Sequence, residues 1–380
     1  MNAAAENRRW WLVLRLVPQI NRVRFYTLID HFQAPEAVFG ASAKEIASLR
    51  GFDEELARAV LEAPTSSAWE QEWEQMERRG VRLLTLEDEE YPENLRRSSF
   101  PPPLLYVRGK IEPMDCFAVS VIGSRRATQY GRMVAQEFTS RLVRAGLAIV
   151  SGFARGIDSV AHRAALDHGG RTLAVLGNGL AVCYPQENAR LADSIAESGA
   201  LISEYPMNTP PDRFNFPERN HLIAALGLGT LVVEAAEKSG ALITAREALE
   251  ENRFVFAVPG DITRENSRGC NALIQSGAKL VQSADDILAE MHGVLRGLVR
   301  EQDASADAPN NGAPSPAASL SPEEQMVYEL LRQEPQCFDV LLSQLDPERF
   351  GVQQLATVLL SLEMKRCIKQ LPGRLYAVLQ

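Results

Sequence analysis

Val119-Ser120-Val121-Ile122-Gly123-Ser124-Arg125-Arg126 is the stretch on which the reading of this chain turns. Its first half is a run of β-formers with the look of a buried strand, and its second half is a turn with a single Gly. A helix-like segment follows from about Tyr130 to Ala145. A second strand, Leu147-Ala148-Ile149-Val150, then runs into Ser151-Gly152-Phe153-Ala154-Arg155-Gly156-Ile157-Asp158. Strand, turn, helix, strand, turn is the grammar of a doubly wound α/β sheet, whose ligands sit beyond the carboxyl ends of the strands. Both turns fall there, and both carry Gly, Ser and Arg.

Further strands extend the pattern at Thr172–Leu176, Ala200–Ser203, Thr230–Val233 and Phe254–Val258, with helices expected at Ser159–Asp167, Glu187–Ser198, Glu218–Leu226 and Leu242–Glu251. Near-continuous apolar strands require cover on both faces, so helices belong on both sides of the sheet. The expected fold class is α/β: an extended Rossmann-like doubly wound sheet over 117–298, with a module at each end. Residues 1–75 show apolar positions at helical spacing. Leu49-Arg50-Gly51-Phe52-Asp53 resembles a helix-hairpin-helix turn, read here chiefly as part of a packing module of the SAM or helix-hairpin-helix kind. Residues 76–116 bridge to the core through two candidate strands, Arg82–Leu86 and Leu104–Val107, the second entered through Pro101-Pro102-Pro103. Residues 299–319 read as a flexible linker, because Glu301–Ser319 lacks bulky apolar residues. Residues 320–380 begin with an N-cap at Ser321 and end in two short strands about Pro372-Gly373, which suggests a winged helix.

Composition narrows the function classes. The chain has 380 residues and a net charge of −9, so a wholly basic protein is excluded. A local basic sector is not: Phe117–Val175 holds eight Arg against three acids, and such a sector binds polyanions through its own field. Five widely spaced Cys without a CxxC pair give no zinc or disulfide framework and point to a cytoplasmic location. The N-terminal apolar run is interrupted by Arg15, too early for a signal peptide, and no stretch approaches a membrane span.

Candidate binding residues gather at the strand exits. Gly123, Ser124, Arg125 and Arg126 offer close backbone approach, a hydroxyl and forked positive charge at a helix start. The stretch is neither a dinucleotide fingerprint nor a Walker A loop, having one Gly and no Gly-Lys-Ser/Thr. Ser151, Gly152 and Arg155 form a second anion-ready turn, in which Phe153 either stacks on a base or packs in the core. Lys238, Ser239 and Gly240 form a third, just before a helix. Arg219 and Asn220 open another helix at the same edge; Arg219 either holds phosphate or braces acids such as Glu204 or Glu234. Asp158 and His162, at i,i+4, read as bracing a helix rather than as a catalytic pair. Phosphate holders abound and no nucleophile–base or metal constellation stands out, which favours a polyanion binder over an enzyme.

The motifs GSRRAT from Gly123, SGFARGIDSVAH from Ser151, LGNGLAVCYPQEN from Leu176, SEYP from Ser203, FPERN from Phe216, EAAEKSGALITA from Glu234 and FAVPG from Phe256 resemble, in order, the DNA-processing protein A family, also called DprA or Smf. The resemblance implies a non-enzymatic binder of single-stranded DNA that protects incoming strands in natural transformation, loads a RecA-type recombinase, forms homodimers and needs no cofactor. It places the family's phosphate turn on Gly123, Ser124 and Arg125, and a second anion contact on Lys238 with Ser239 and Gly240. The sequence departs from the family's commonest pattern at Ala181 and His221, and at Glu187 and Glu218, where some members carry Lys, which implies a narrower basic pocket. The winged helix carries Lys365, Arg366, Lys369 and Arg374, yet Val352–Leu362, where a recognition helix would lie, has no basic residue; protein contacts are favoured there over groove reading. Two other readings stand beside this one. Ala225–Glu234 loosely resembles the GGxGTxxE loop of nucleotide phosphoribohydrolases, and a winged helix could make the chain a duplex-binding regulator.

Overall fold

A computed structural model describes residues 3–306, 320–333, 336–346, 350–365, 367–371 and 375–378. Nine strands form one sheet: β1 Val81–Thr85, β2 Leu104–Gly109, β3 Ala118–Ile122, β4 Ala148–Ser151, β5 Thr172–Val175, β6 Ala200–Ser203, β7 Gly229–Val232, β8 Phe254–Ala257 and β9 Lys279–Leu280. Their order is β1-β2-β6-β5-β4-β3-β7-β8-β9, with parallel pairing from β6 through β9. The chain therefore winds outward from β3 in one direction, then returns to place β7 on the other side of β3. Between β3 and β7 lies the topological switch point at which such sheets open a crevice.

Residue alternation distributes the core. Val119 and Val121 of β3 face Phe138 and Leu142 of the helix Gln129–Arg144, while Ala118 and Ile122 belong to the opposite layer with Leu222–Leu226 and Ala245. The helix Ile157–Asp167 joins the first layer and the helix Gly240–Glu250 the second. The expected strands and helices of the core stand within two or three residues of their places. The helix Glu265–Gln275 and the short edge strand β9 were not expected; both are polar or exposed along much of their length and give little apolar periodicity.

The segment 76–116 is more than a bridge. β1 and β2 pair antiparallel, and β2 pairs antiparallel with β6, so they extend the main sheet. The N-terminal helices pack on this extension: Trp11, Phe25, Leu28 and Val60 share a core with Val81, Leu83, Leu104 and Tyr106. At its tight hairpin, Asp53 accepts from the Leu56 amide and the Gly51 carbonyl accepts from Arg24 Nε, so the polar groups there serve internal packing. Arg22 Nη2 donates to both carboxylate oxygens of Glu204 at 2.6 Å and ties this module to the core, and Arg22 Nη1 lies 2.7 Å from His221 Nε2.

The helix Ala284–Ala306 includes residues 299–306, which the sequence had assigned to the linker; 307–319 lie outside the described residues. Beyond them stand the helices Pro322–Gln333, Phe338–Gln344 and Val352–Met364 and a three-stranded sheet, β10 Gln336–Cys337, β11 Ile368–Leu371 and β12 Leu375–Val378, in the order β10-β12-β11. This is a winged helix with one more strand than expected. Its helix Val352–Met364 has two apolar faces. Leu355, Leu359 and Leu362 fill the module's own core, while Leu360 and Met364, four residues apart, join Leu288, Met291 and Leu295 in the first layer of the α/β domain. Burial of each such side chain stabilises by about 1.5–3 kcal/mol. Inside the module, Ser361 and Lys365 donate to Glu324 of the helix Pro322–Gln333.

Candidate nucleic-acid interface

An open cleft of about 1750 Å³ lies over the switch point. It exceeds the about 300–1,000 Å³ of a site built for one small ligand. Seven basic side chains line it (Arg125, Arg126, Arg213, Arg219, Lys238, Arg264 and Arg268) against the acids Asp158, Glu237 and Glu265. The four anion-ready segments expected from the sequence all reach this edge, but they are not equivalent.

The turn after β3 presents its arginines and spends its backbone. Ser124 N donates to the Glu234 carbonyl at 2.7 Å, and Ser124 Oγ accepts from Arg126 N at 3.1 Å. The following helix is capped by Thr128, whose hydroxyl accepts from Gly131 N at 3.1 Å. Glu234 fills the space beyond, accepting from Thr128 N at 2.9 Å. The positive end of this helix is thus answered by a buried carboxylate of the chain itself. What remains for a ligand is Gly123, Ser124 and the exposed guanidiniums of Arg125 and Arg126.

The turn after β4 is closed. Ser151 is fully buried and its hydroxyl donates to the Val121 carbonyl at 2.7 Å. The Gly152 carbonyl accepts from Arg219 Nη1 at 2.6 Å, and Ala154 N donates to Asp158 Oδ2 at 3.3 Å. Asp158 is the anion of this turn. Burial raises its carboxyl above the ordinary range, opposed by the charge of Arg219. Phe153, at φ 58° and 1% exposed, packs with Leu176, Leu191 and Ile195; it is a core residue here and is not presented for stacking. Arg155 is exposed and paired with Glu187, its Nη2 3.0 Å from Oε2. None of Ser151, Gly152, Phe153 or Arg155 lines the cleft. Gly156, at φ +79°, lets this turn cross the first, because a Cβ there would stand 2.1 Å from the Ser124 carbonyl oxygen.

Arg219 is neither a free phosphate holder nor a brace for Glu204 or Glu234. At 3% exposure it donates to the carbonyls of Gly152 and Val175 and faces Asp158. Burial lowers its guanidinium to about 10, so it stays charged at neutral pH and contributes a fixed positive potential to the cleft floor. His162 lies fully buried behind it, its Nδ1 2.7 Å from Thr172 Oγ1; burial pushes it down to about 3, so it is neutral. That geometry fits bracing, as the spacing of Asp158 and His162 suggested.

The turn after β7 is open. Lys238 is exposed, Ser239 caps the eleven-residue helix Gly240–Glu250 by accepting from Ala241 N at 3.3 Å, and a Cβ at Gly240 would meet nothing within 4 Å. Asn220 Nδ2 donates to the Gly240 carbonyl at 3.4 Å and steadies the turn from the neighbouring helix.

Sequence reasoning missed the other wall. Phe216 and Tyr184, ring centroids 5.9 Å apart, stand at the cleft with Arg125 5.2 Å over the Phe216 ring. Arg213 lies over Phe214, which is 65% exposed. Arg264 and Arg268 flank the opposite end. Phe216 was visible inside FPERN and Tyr184 inside LGNGLAVCYPQEN, though neither was singled out; the arginines sit in loops or on the unanticipated helix. Of the departures noted in the sequence, Glu187 is held by Arg155, Glu218 accepts from the Tyr205 hydroxyl at 3.2 Å, and His221 joins Arg22. Among the described residues there is no cluster of three or more His, Cys, Asp or Glu placed to hold a metal ion, and no helix is long and apolar enough to cross a membrane.

Residues 82–292 match the family model described as DNA recombination-mediator protein A, and residues 311–374 match the DprA winged helix domain. Protein Smf of Escherichia coli strain K12 is 41% identical over 77% of this chain and 76% of its own length. Protein Smf of a Synechocystis species is 31% identical over 98% and 99%. The X-ray structure of DNA processing protein A from Streptococcus pneumoniae superposes with a TM-score of 0.67 at 33% identity, covering 74% of this chain and 97% of that one. A second structure, reported for the single-stranded DNA binding mode of DNA processing protein A from Helicobacter pylori, has a TM-score of 0.50 at 29% identity and covers 56% and 95%.

Proposed function

The chain belongs to the DNA recombination-mediator protein A family, and from that premise we propose that it binds single-stranded DNA along the cleft at its sheet's switch point, without catalysing a reaction. Arg125, Arg126 and Lys238 hold phosphates, the open turn at Ser239 and Gly240 supplies backbone approach, and Phe216 with Tyr184 offers ring faces to bases. The observation that carries this reading is the cleft itself: about 1750 Å³, open, with seven basic side chains against three acidic ones. A polymer of phosphates matches that length and charge better than one nucleotide does. Protection of the bound strand, loading of a RecA-type recombinase during natural transformation, a homodimeric state and a cytoplasmic location complete the proposal, on the strength of family membership.

The phosphoribohydrolase reading finds less support. The glutamate its motif would supply, Glu234, is 4% exposed and accepts from Thr128, and Gly229–Val232 is a central buried strand rather than a loop. A duplex-reading regulator would need the helix Val352–Met364 free, whereas Leu360 and Met364 are packed against the α/β domain.

Fluorescence anisotropy with a labelled dT oligonucleotide, run against duplex across a salt series, tests the proposal. Tight single-strand binding that falls steeply with salt and is weakened at least about tenfold in folded Arg125→Ala and Lys238→Ala variants is the expected result. Unchanged binding in both variants would move the site elsewhere, and release of free base from a nucleoside monophosphate would reinstate an enzyme.

A further inference from the structure

The cleft's linings trace a line across the sheet. Arg213 follows β6, Tyr184 follows β5, Ala154 and Asp158 follow β4, Arg125 follows β3, Lys238 follows β7, and Arg264 and Arg268 follow β8. Adjacent strands stand about 4.8 Å apart, so six strand exits span about 24 Å, room for several successive phosphates of one strand. The cations at Arg125 and Lys238 occupy only the middle of that line.

The β8 end is built as firmly as the middle. Asn266 Nδ2 donates to the Arg126 carbonyl at 3.2 Å, the Asn266 carbonyl accepts from Ala235 N at 2.8 Å, and Gly269 N donates to the Ala235 carbonyl at 2.8 Å. These bonds lock the first turn of the helix Glu265–Gln275 onto the exits of both β3 and β7. The cations it carries are weakly committed. Both are exposed; Arg264 has only a 3.9 Å approach to Asp261, whose Oδ1 already accepts from the amide and the hydroxyl of Thr263. Among the described residues no ion pair engages Arg268. Exposed, unneutralised guanidiniums on a rigid frame, in continuity with a phosphate-sized track, suit a phosphodiester backbone. Glu265 shares the segment, so the charge gained there is partial.

Resting on the single-stranded DNA reading, we infer that Thr263–Arg268 is a second phosphate station, holding the strand after it has crossed the switch point, with Arg264 and Arg268 as its contacts. The bound strand then lies across the sheet edge from the Phe216 wall to the β8 exit, and affinity grows with length until both stations are filled.

The test uses the full chain, with dT oligonucleotides of about three nucleotides, too short to reach from Arg125 and Lys238 to the β8 exit, and of about twenty, in an Arg264→Ala/Arg268→Ala double variant. The long oligonucleotide should lose about tenfold in affinity. Its log-affinity against log-salt slope should become shallower by about 1.4, since each phosphate contact on a single strand contributes about 0.7. The short one, held by Arg125 and Lys238, should change little. An Arg264→Lys/Arg268→Lys variant, with the charge kept, should retain the slope; a Lys variant that behaves as the Ala variant would overturn the assignment, as would equal losses on both lengths. Full binding of the long oligonucleotide by the Ala variant would overturn this inference alone, while no binding by the unsubstituted protein would overturn the single-stranded DNA reading with it.

Discussion

The turn after β4 and the turn after β7 have the same ingredients in sequence: Ser, Gly and a cation just before a helix. In three dimensions they are opposites. At Ser151–Gly156 the hydroxyl, the Gly152 carbonyl and the Ala154 amide are answered by Val121, Arg219 and Asp158. At Lys238–Gly240 the lysine is exposed and the space before the helix is empty. The lesson is that an anion-ready turn becomes a site only where no carboxylate of the same chain has already filled it. The turn after β3 is intermediate: Glu234 takes its helix end, and the arginines face the cleft.

The comparison is most sharply broken or upheld at glycine. Gly156→Ala forces a Cβ to 2.1 Å from the Ser124 carbonyl oxygen at φ +79°, and should cost about 3–5 kcal/mol or prevent folding. Gly240→Ala, with open space and a helical position, should leave stability unchanged or raise it by about 0.5–1 kcal/mol. Urea unfolding of the two variants reads the difference; equal costs would mean that the two turns are packed alike.

Binding comes next. Lys238→Ala should weaken single-stranded DNA binding by about tenfold to a hundredfold, as expected for losing a charge-assisted phosphate contact. Anisotropy at fixed salt checks it, with circular dichroism to show that the fold is kept.

The buried polar group behind the closed turn gives a pH signature. His162 stays neutral in the folded chain down to about pH 3, whereas in the unfolded chain it protonates near the ordinary histidine value of 6.5. The unfolded state therefore binds the extra proton between those values. The contribution is fully present above pH 6.5 and is lost as pH falls, by about 1.4 kcal/mol per pH unit. Asp158, whose carboxyl burial raises, acts in the opposite sense and gains stability as pH falls. The difference between the native chain and His162→Asn, followed by denaturant titration from pH 7 to pH 4, isolates the histidine. A pH-independent difference would contradict its burial as a neutral group.

The smallest effect is expected at Arg155. It is exposed and paired with Glu187 outside the cleft, so Arg155→Ala should alter single-strand affinity by no more than about twofold. A loss as large as that of Lys238→Ala would return the β4 turn to the binding surface.

Much of this was legible before folding. The strands β3 to β8 announce themselves because a strand buried on both faces is largely apolar, and runs such as Thr172–Val175 and Ala200–Ser203, short and set between turn residues, fit that pattern. Their exits, and so the edge on which a site could form, follow from parallel winding alone. The helix Glu265–Gln275 was not legible, because only Ser267, Gly269 and Cys270 are buried in it and they give no periodic stripe; Arg264 and Arg268 went with it. The second apolar face of Val352–Met364 was equally hidden, since Leu360 and Met364 look like more of the module's own core.

By itself, then, the sequence determined the doubly wound sheet, the modules at its ends and the presence of four cation-bearing turns on one edge. Those properties depend on local propensity and on apolar patterning, which act between neighbours. Only the tertiary structure decided which turns are filled. Glu234 reaches Thr128 from 106 residues away and Arg219 reaches Gly152 from 67. A carboxylate or guanidinium neutralises whatever it is folded against, and that proximity exists only once the sheet has closed.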